Sequence, residues 1–293
     1  MEEGSTTVQG AVDAVPEGNS QWVRIYVKQG SYREKVTIPS RKGFILLEGD
    51  GVWSTEISFD AHAAYNANIT DYSSTYNSAT FTVQADNFVA RGISFKNTYG
   101  GGFDNPAVAA LVGGDKSAFY DCAFHGFQDT LCDFTGRHYF RRCLVEGGVD
   151  FIFGFGRSIY EDCTLLSNMP AWSPQPGWVT AHGWAGPGSD AGLVFKGGQI
   201  VGSGRQYLGR PWKQRATVVF FQVTMADIVV PQGWEKWNST QDVSQVTFAE
   251  IGCAGPGSNI AGRVPWEKHL SYEEVQRFVD IRFINDGWLS NQP

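Results

Sequence analysis

Short apolar stretches alternate with polar residues along most of the chain, and Gly, Asn and Asp separate them. The alternation at residues 22–27 predicts a strand, and residues 44–49 predict a second one. Helical patterns occur only near the ends, at residues 8–15 and 271–279. The pattern predicts an all-β protein with a short N-terminal helix and a C-terminal helical segment. Further short strands are predicted at residues 81–83, 88–90, 93–95, 118–120, 138–140, 158–160, 192–195 and 217–220.

Whole sub-patterns recur about every 20 residues. The segment Ser-Ala-Phe-Tyr-Asp-Cys ends at Cys122, and related segments end at Cys143 and Cys163, so the steps are 21 and 20 residues. A sandwich would instead show turns every 8 to 12 residues or so. A coil of about 20 residues that holds several short strands is the repeat of a parallel β-helix. In that solenoid the three cysteines form an interior column of small apolar side chains, and we expect neither disulfides nor a zinc site.

Composition narrows the function classes. A chain of 293 residues with 42% hydrophobic residues can bury a large core, and we expect one domain over residues 1–293. The net charge of −7 argues against nucleic acid as a partner, because phosphate binding needs a basic face. No apolar run is long enough to predict a membrane span, and the start of the chain lacks a signal-peptide pattern, so we expect any leader to have been removed. Glycosylation sequons at Asn68 and Asn238 are compatible with secretion.

Two carboxylates occupy equivalent positions in the repeat. Asp129 follows Cys122 by seven residues, and Asp150 follows Cys143 by seven. In stacked coils they would lie about 5 Å apart, where two carboxylates cannot both ionise freely near neutral pH. One protonated and one charged carboxyl group is what acid/base or acid/nucleophile catalysis requires. The alternative is a pair of turn residues that satisfy the local backbone, and spacing alone favours that alternative.

An arginine and a tryptophan later in the chain favour the catalytic interpretation. Arg210 can hold one carboxylate ionised through a charge-assisted pair. Trp212, two residues further on, offers a flat face for a sugar ring. A surface turn with a packed indole fits the same segment, so the segment alone does not decide between the two interpretations.

Together the segments resemble the signature blocks of pectin methylesterases, the pectinesterase family of plants and microbes. Four blocks are intact: GxYxE at 30–34, QDTL at 128–131, DFIFG at 150–154 and LGRPW at 208–212. Similarity near both ends extends the resemblance to nearly the whole chain. It implies a right-handed parallel β-helix that hydrolyses the methyl esters of homogalacturonan, giving methanol and free galacturonate carboxylates without a metal or cofactor.

The resemblance also implies roles for individual residues. Asp150 looks like the nucleophile that attacks the ester carbonyl, and Asp129 like the acid that protonates the leaving methoxide and then acts as base on water. Gln128 would donate to the oxyanion, and Arg210 would orient Asp150 and keep it ionised. The sugar-binding groove would be lined by Trp212, Phe153 and Phe127.

Two positions depart from the family pattern. Pro106 replaces the QAVAL glutamine, the second oxyanion donor, and proline has neither a side-chain donor nor a backbone N–H. Removing one such donor lowers turnover by about 10²- to 10³-fold, so a catalytically weakened pectin-binding relative stays open beside an active esterase, with Asn105 as a substitute donor. His182 stands where many members have glutamine. It would either add a pH-sensitive charge near the groove or be a hydrogen-bonded surface imidazole, and the second reading is favoured.

The resemblance further predicts the setting of the protein. We expect pectin as the substrate, a proteinaceous inhibitor as a further partner of plant members, a monomer, and secretion to the cell wall. A polysaccharide lyase or glycosidase on the same fold is a third function class, which the signature blocks disfavour.

Overall fold

The chain is built almost entirely from short strands. The computed structural model describes residues 5–63, 73–183, 186 and 190–293, and within them it has three α-helices, α1 (Val8–Ala14), α2 (Ser73–Asn77) and α3 (Tyr272–Val279). Short 3-10 helices follow late in the chain at Pro256–Ser258, Ile260–Gly262, Ile281–Phe283 and Trp288–Asn291. The strands, in chain order, are β1 (Val23–Val27), β2 (Gly30–Arg33), β3 (Val36–Ile38), β4 (Ile45–Gly49), β5 (Thr55–Phe59), β6 (Phe81–Val83), β7 (Phe88–Arg91), β8 (Ser94–Asn97), β9 (Ala110–Val112), β10 (Ser117–Tyr120), β11 (Ala123–His125), β12 (Leu131–Asp133), β13 (Arg137–Arg141), β14 (Leu144–Gly147), β15 (Ile152–Gly154), β16 (Arg157–Glu161), β17 (Thr164–Asn168), β18 (Gly177–His182), β19 (Gly192–Lys196), β20 (Gln199–Ser203), β21 (Gln206–Pro211), β22 (Thr217–Phe221), β23 (Thr224–Met225) and β24 (Thr247–Ile251).

Three parallel sheets form the walls of a solenoid. The first sheet has the order β1-β4-β7-β10-β13-β16-β19-β22-β24, the second β2-β5-β8-β11-β14-β17-β20-β23, and the third β3-β6-β9-β12-β15-β18-β21. Apart from β22 and β24 at the end of the first sheet, each neighbour in a sheet is three strands further along the chain, so successive coils add one strand to each sheet. This arrangement confirms the predicted parallel β-helix and the predicted strand positions.

Columns of like side chains fill the interior. In the first sheet Phe119, Phe140 and Tyr160 are in register on successive coils, and their rings stack with centroid distances of 5.0 and 4.4 Å. Cys122 and Cys143 are buried free thiols, as is Cys163, which confirms their predicted place in the interior. Stacked rings and small thiols suit this core because equivalent positions of adjacent coils are only about 4.8 Å apart.

The helices pack differently from each other. Val8, Val12 and Val15 at α1 join the interior core beside the first coil, and both carboxylate oxygens of Glu34 accept the backbone N–H groups of Val8 and Gln9, each at 2.9 Å. This glutamate of the GxYxE block therefore anchors the helix N-terminus.

The sequence left open whether α3 caps the solenoid end or packs on its side. The structure shows side packing, because Val275, Phe278 and Val279 lie in one cluster with outward residues of the first sheet.

Candidate active site

The two candidate carboxylates lie side by side where the chain enters the third sheet. Gln128 forms a parallel bridge with Val149, and Leu131 pairs with Ile152, so Asp129 and Asp150 occupy the same position on adjacent coils. Both have left-handed backbone angles, with φ of 62° and 46°. Aspartate tolerates this conformation better than most residues, and it ends the turn that leads into each strand. Both residues thus lie in turns, but among the described residues neither carboxylate accepts a hydrogen bond from the backbone of its own turn.

The Asp150 side chain forms hydrogen bonds with an arginine rather than with the backbone of its own turn. Arg210 Nε donates to Asp150 Oδ1 at 2.9 Å, and a second guanidinium N–H donates to Oδ2 at 2.5 Å. Arg210 comes from β21, two coils beyond Asp150, so the fold brings the QDTL, DFIFG and LGRPW blocks together. The bidentate pair is buried on the Asp150 side, where the side chain is 6% exposed, and such pairs fix orientation as well as charge.

Two tryptophans that the sequence analysis missed hold Arg210 between them. The guanidinium carbon lies 3.8 Å from the ring centre of Trp178 and 4.2 Å from that of Trp237. Trp178 Nε1 in turn donates to Glu235 at 2.9 Å. The repeat of 20 to 21 residues gave no signal for Trp178, because Ile152 pairs with Thr180, 28 residues further on, and only this register places Trp178 beside Asp150 on the next coil. Trp237 lies in an irregular segment and had no signal either.

The two carboxyl groups differ in their electrostatic environment. Burial raises the pKa of Asp129 well above its usual range, and the negative charge of Asp150 raises it further, whereas Arg210 acts in the opposite direction. Burial also raises the pKa of Asp150, but Arg210 opposes that shift through its charge and its hydrogen bonds. Because Arg210 binds Asp150 directly, the pair favours its negative charge on Asp150 and its proton on Asp129. Among the described residues none donates a hydrogen bond to the Asp129 carboxyl group.

Gln128 is oriented by a neighbouring loop. Its Oε1 accepts the backbone N–H of Asn105 at 3.2 Å. This hydrogen bond assigns the amide so that Nε2, which bonds to none of the described residues, remains able to donate. The Asn105 side chain turns elsewhere, since its Nδ2 donates to the carbonyl of Phe103 at 2.8 Å and its Oδ1 accepts from Tyr99 at 3.4 Å.

The three aromatic residues predicted for the groove are exposed to different extents. Phe153 and Trp212 pack together with ring centres 6.1 Å apart, and they are only 4% and 8% exposed. Trp212 also stacks on Phe155 at 4.8 Å. Phe127 is partly exposed and lies over Gly148, where an added Cβ would come within 2.5 Å of its ring. Phe127 thus presents more surface than the other two.

His182 lies in the interior, so both expectations for it are wrong. It is fully buried on β18, and its Nδ1 accepts the backbone N–H of Thr217 at 3.0 Å. Burial lowers its pKa to about 4, against the opposing effect of the Asp133 carboxylate and the Gly156 carbonyl. Asp133 is itself paired with His138 at 2.6 Å. The imidazole is therefore a neutral part of the core.

The comparisons with known proteins agree with this geometry. The sequence model of the pectinesterase family matches residues 2–287. Probable pectinesterase 29 of Arabidopsis thaliana is 44% identical over 298 residues, which cover 98% of this chain and 86% of the relative. The solved structure of pectin methylesterase from carrot has a TM-score of 0.88 and 35% identity, and the match covers 98% of this chain and 91% of the carrot chain. The pectin methylesterase of Aspergillus niger, at 27% identity and a TM-score of 0.83, covers 99% of this chain and 93% of its own.

The chain belongs to the pectinesterase family. It is an ester hydrolase, and its general activity is removal of methyl esters from pectin. This assignment decides against the lyase and glycosidase alternatives. In the described part of the chain no three His, Cys, Asp or Glu side chains converge as a metal site would require. Across the same residues no helix is long and apolar enough to cross a membrane.

Proposed function

We propose that the protein de-esterifies homogalacturonan through a covalent intermediate on Asp150. An Asp150 oxygen attacks the ester carbonyl carbon, and the carbonyl electrons move to the oxygen, which Gln128 Nε2 stabilises. When the intermediate collapses, the bond to the methoxy oxygen breaks and Asp129 gives its proton to the leaving methoxide. The products of this half are methanol and an anhydride between the substrate carbonyl and Asp150.

The second half uses the same residues in reverse. Asp129, now ionised, takes a proton from water while the water oxygen attacks the anhydride carbonyl. The Asp150 carboxylate leaves, and Asp129 is again protonated. The observation that carries this assignment is the asymmetric environment of the pair, in which Arg210 binds Asp150 with two hydrogen bonds and leaves Asp129 unpaired within the described residues.

Methanol release from highly esterified pectin tests the assignment. Asp150→Ala is expected to abolish release, and Asp129→Asn to lower it strongly because the acid is lost. Gln222→Ala, at an exposed left-handed turn of the first sheet, serves as a fold control. Substantial turnover by Asp150→Ala, with native unfolding behaviour, would rule out Asp150 as the nucleophile.

A reduced turnover rate is the second candidate property. Pro106 removes one oxyanion donor, and the Asn105 side chain, bonded to Phe103 and Tyr99, points to other partners. Of these two side-chain amides, only that of Gln128 has an N–H group that bonds to none of the described residues, so the oxyanion would depend on Gln128. Loss of one donor corresponds to about 10²- to 10³-fold in turnover.

The cellular setting is also proposed. Secretion to the cell wall is supported by the plant pectinesterases it resembles, and a proteinaceous inhibitor by the tomato relative named pectinesterase/pectinesterase inhibitor U1, which is 37% identical over 97% of this chain and 50% of its own length. Asn238 is exposed and its Oδ1 accepts from Thr240, whereas the sequon at Asn68 lies outside the described residues. Peptide mapping of protein from the plant cell wall would test glycosylation at Asn238.

A further inference from the structure

A large open cavity lies on the second sheet, beside the catalytic turns. Its volume is about 1110 Å³. Gly126 and Phe127, which directly precede Gln128, form part of its lining, as do residues 97–101 at the start of the long connection from β8 to β9. The connection that carries Asp129 is much shorter, spanning residues 126–130. The cavity therefore extends as far as Phe127, the residue next to Gln128 of the candidate active site.

Three polar side chains form a row across the floor. Lys96, His125 and Glu146 are paired in register on β8, β11 and β14, so they point outward about 4.8 Å apart. His125 Nδ1 and a Glu146 oxygen are 2.6 Å apart, and Asn168 Nδ2 donates to the other oxygen of Glu146 at 3.1 Å. These contacts and the sheet beneath hold the row in place, so its polar groups lie at fixed positions on the cavity floor.

Trp53 supplies an apolar face at the same cavity. It is 81% exposed, and its ring lies 6.5 Å from that of His125, tilted by 46°. A single exposed tryptophan is unremarkable on its own. Here the indole borders a cavity with fixed hydrogen-bonding groups, and this combination is typical of a ligand site.

The charges of the cavity select between two forms of the polymer. Glu56 and Glu146 face one ammonium group, Lys96, which lies 3.8 Å from Glu56. A galacturonate carboxylate bound here would meet two carboxylates, in a protein whose net charge is −7. A methyl-esterified unit carries no charge and avoids that repulsion.

We propose that the cavity bordered by Trp53, Lys96 and His125 is a second carbohydrate subsite that binds a methyl-esterified segment of the galacturonan chain whose scissile ester lies at Asp150. The inference rests on the proposed function. Trp53 stacks on a sugar ring, and the floor groups bond to its hydroxyl and ester oxygens. The subsite retains esterified substrate and disfavours the acidic product.

Binding measurements on an Asp150→Ala background test the subsite, since the ester is then not consumed. Isothermal titration would compare methyl-esterified oligogalacturonides with the same oligosaccharides after de-esterification. Trp53→Ala is expected to weaken binding of the esterified form about tenfold, whereas Trp53→Phe, which keeps a ring, stays within about threefold of the parent. Glu56→Gln is expected to strengthen binding of the de-esterified form at least threefold or so, because one repelling charge is gone.

Trp172→Ala is the matched control. Trp172 is 83% exposed and does not line the cavity, so binding should stay within about twofold of the parent. Equal affinity for the esterified form in Trp53→Ala and its parent would overturn the subsite, and so would tighter binding of the de-esterified form by the parent. If the wild-type chain still releases methanol in that case, only the subsite fails. Absence of methanol release by the wild-type chain would instead refute the proposed function.

Discussion

The central guanidinium carbon of Arg210 lies over the ring of Trp178, 3.8 Å from the ring centre, while the same guanidinium binds both oxygens of Asp150. An indole over a guanidinium is attractive by about 0.5 to 2 kcal/mol, and it restricts the planar group to one orientation. Trp178 is thus a positioning residue, which acts on Asp150 through Arg210.

Trp178→Ala is expected to lower kcat about tenfold, equivalent to about 1.4 kcal/mol, with a smaller change in KM. Trp178→Phe keeps an aromatic face but loses part of the indole surface and the N–H that binds Glu235, so its kcat should lie between those of Trp178→Ala and the wild type. Steady-state kinetics on esterified pectin checks both variants. An effect confined to KM would assign Trp178 to substrate binding instead.

The pH dependence of activity should report the division of roles between the two acids. In the proposed mechanism turnover requires ionised Asp150 and protonated Asp129, so kcat/KM should fall at low pH as Asp150 gains a proton and at high pH as Asp129 loses one. Arg210 lowers the pKa of Asp150 against the effect of burial, so Arg210→Ala should move the acidic limb to higher pH. A profile of kcat/KM against pH for both proteins measures the shift. An unmoved acidic limb would show that Arg210 does not control the ionisation of Asp150.

Pro106→Gln tests whether the missing oxyanion donor limits the rate. Restoring an amide beside Gln128 is expected to raise kcat by about tenfold or more, up to the 10²- to 10³-fold typical of one donor. Pro106→Ala removes the proline ring without adding a donor and serves as the control. Equal kcat for Pro106→Gln and the wild type would exclude the weakened-relative hypothesis.

Buried His182 should make stability depend on pH. Its pKa falls from 6.5 to about 4 on folding, so below pH 6.5 the unfolded chain takes up a proton that the folded chain does not. The free energy of unfolding should therefore decrease as pH falls from 6.5 towards 4, by about 3 kcal/mol in total. The lowered pKa of Asp133 acts in a separate window, because its stabilisation is lost only as pH falls below the usual aspartate value of 3.8.

His182→Gln keeps an acceptor for the Thr217 N–H and removes the titrating ring. Denaturant unfolding of wild type and variant at several pH values between 4 and 7 or so gives the comparison. The variant should lose most of the slope between those pH values. The same slope in both proteins would assign the acid sensitivity to other groups.

The repeat, the strand positions and the cysteine column followed from the sequence, because a solenoid coil needs the same side-chain type at the same offset every 20 residues or so. Asp129 and Asp150 could be paired for the same reason. The number of residues between these two acids and Arg210 does not predict that the arginine lies beside them. That position was predicted only from the resemblance to the family's signature blocks.

The tertiary structure decided what depends on contacts between coils and on irregular loops. Trp237 reaches Arg210 from a segment without strand pattern, and Asn105 turns its amide towards Phe103. His182 lies opposite Gly154 and Pro211 in the third sheet and is buried there. The sequence by itself thus determined the solenoid and its pair of acids. Only the folded chain determined which side chains surround that pair and separate the pKa values of its two members. The reason is that neighbouring charges and burial set a pKa, and neither is local in the sequence.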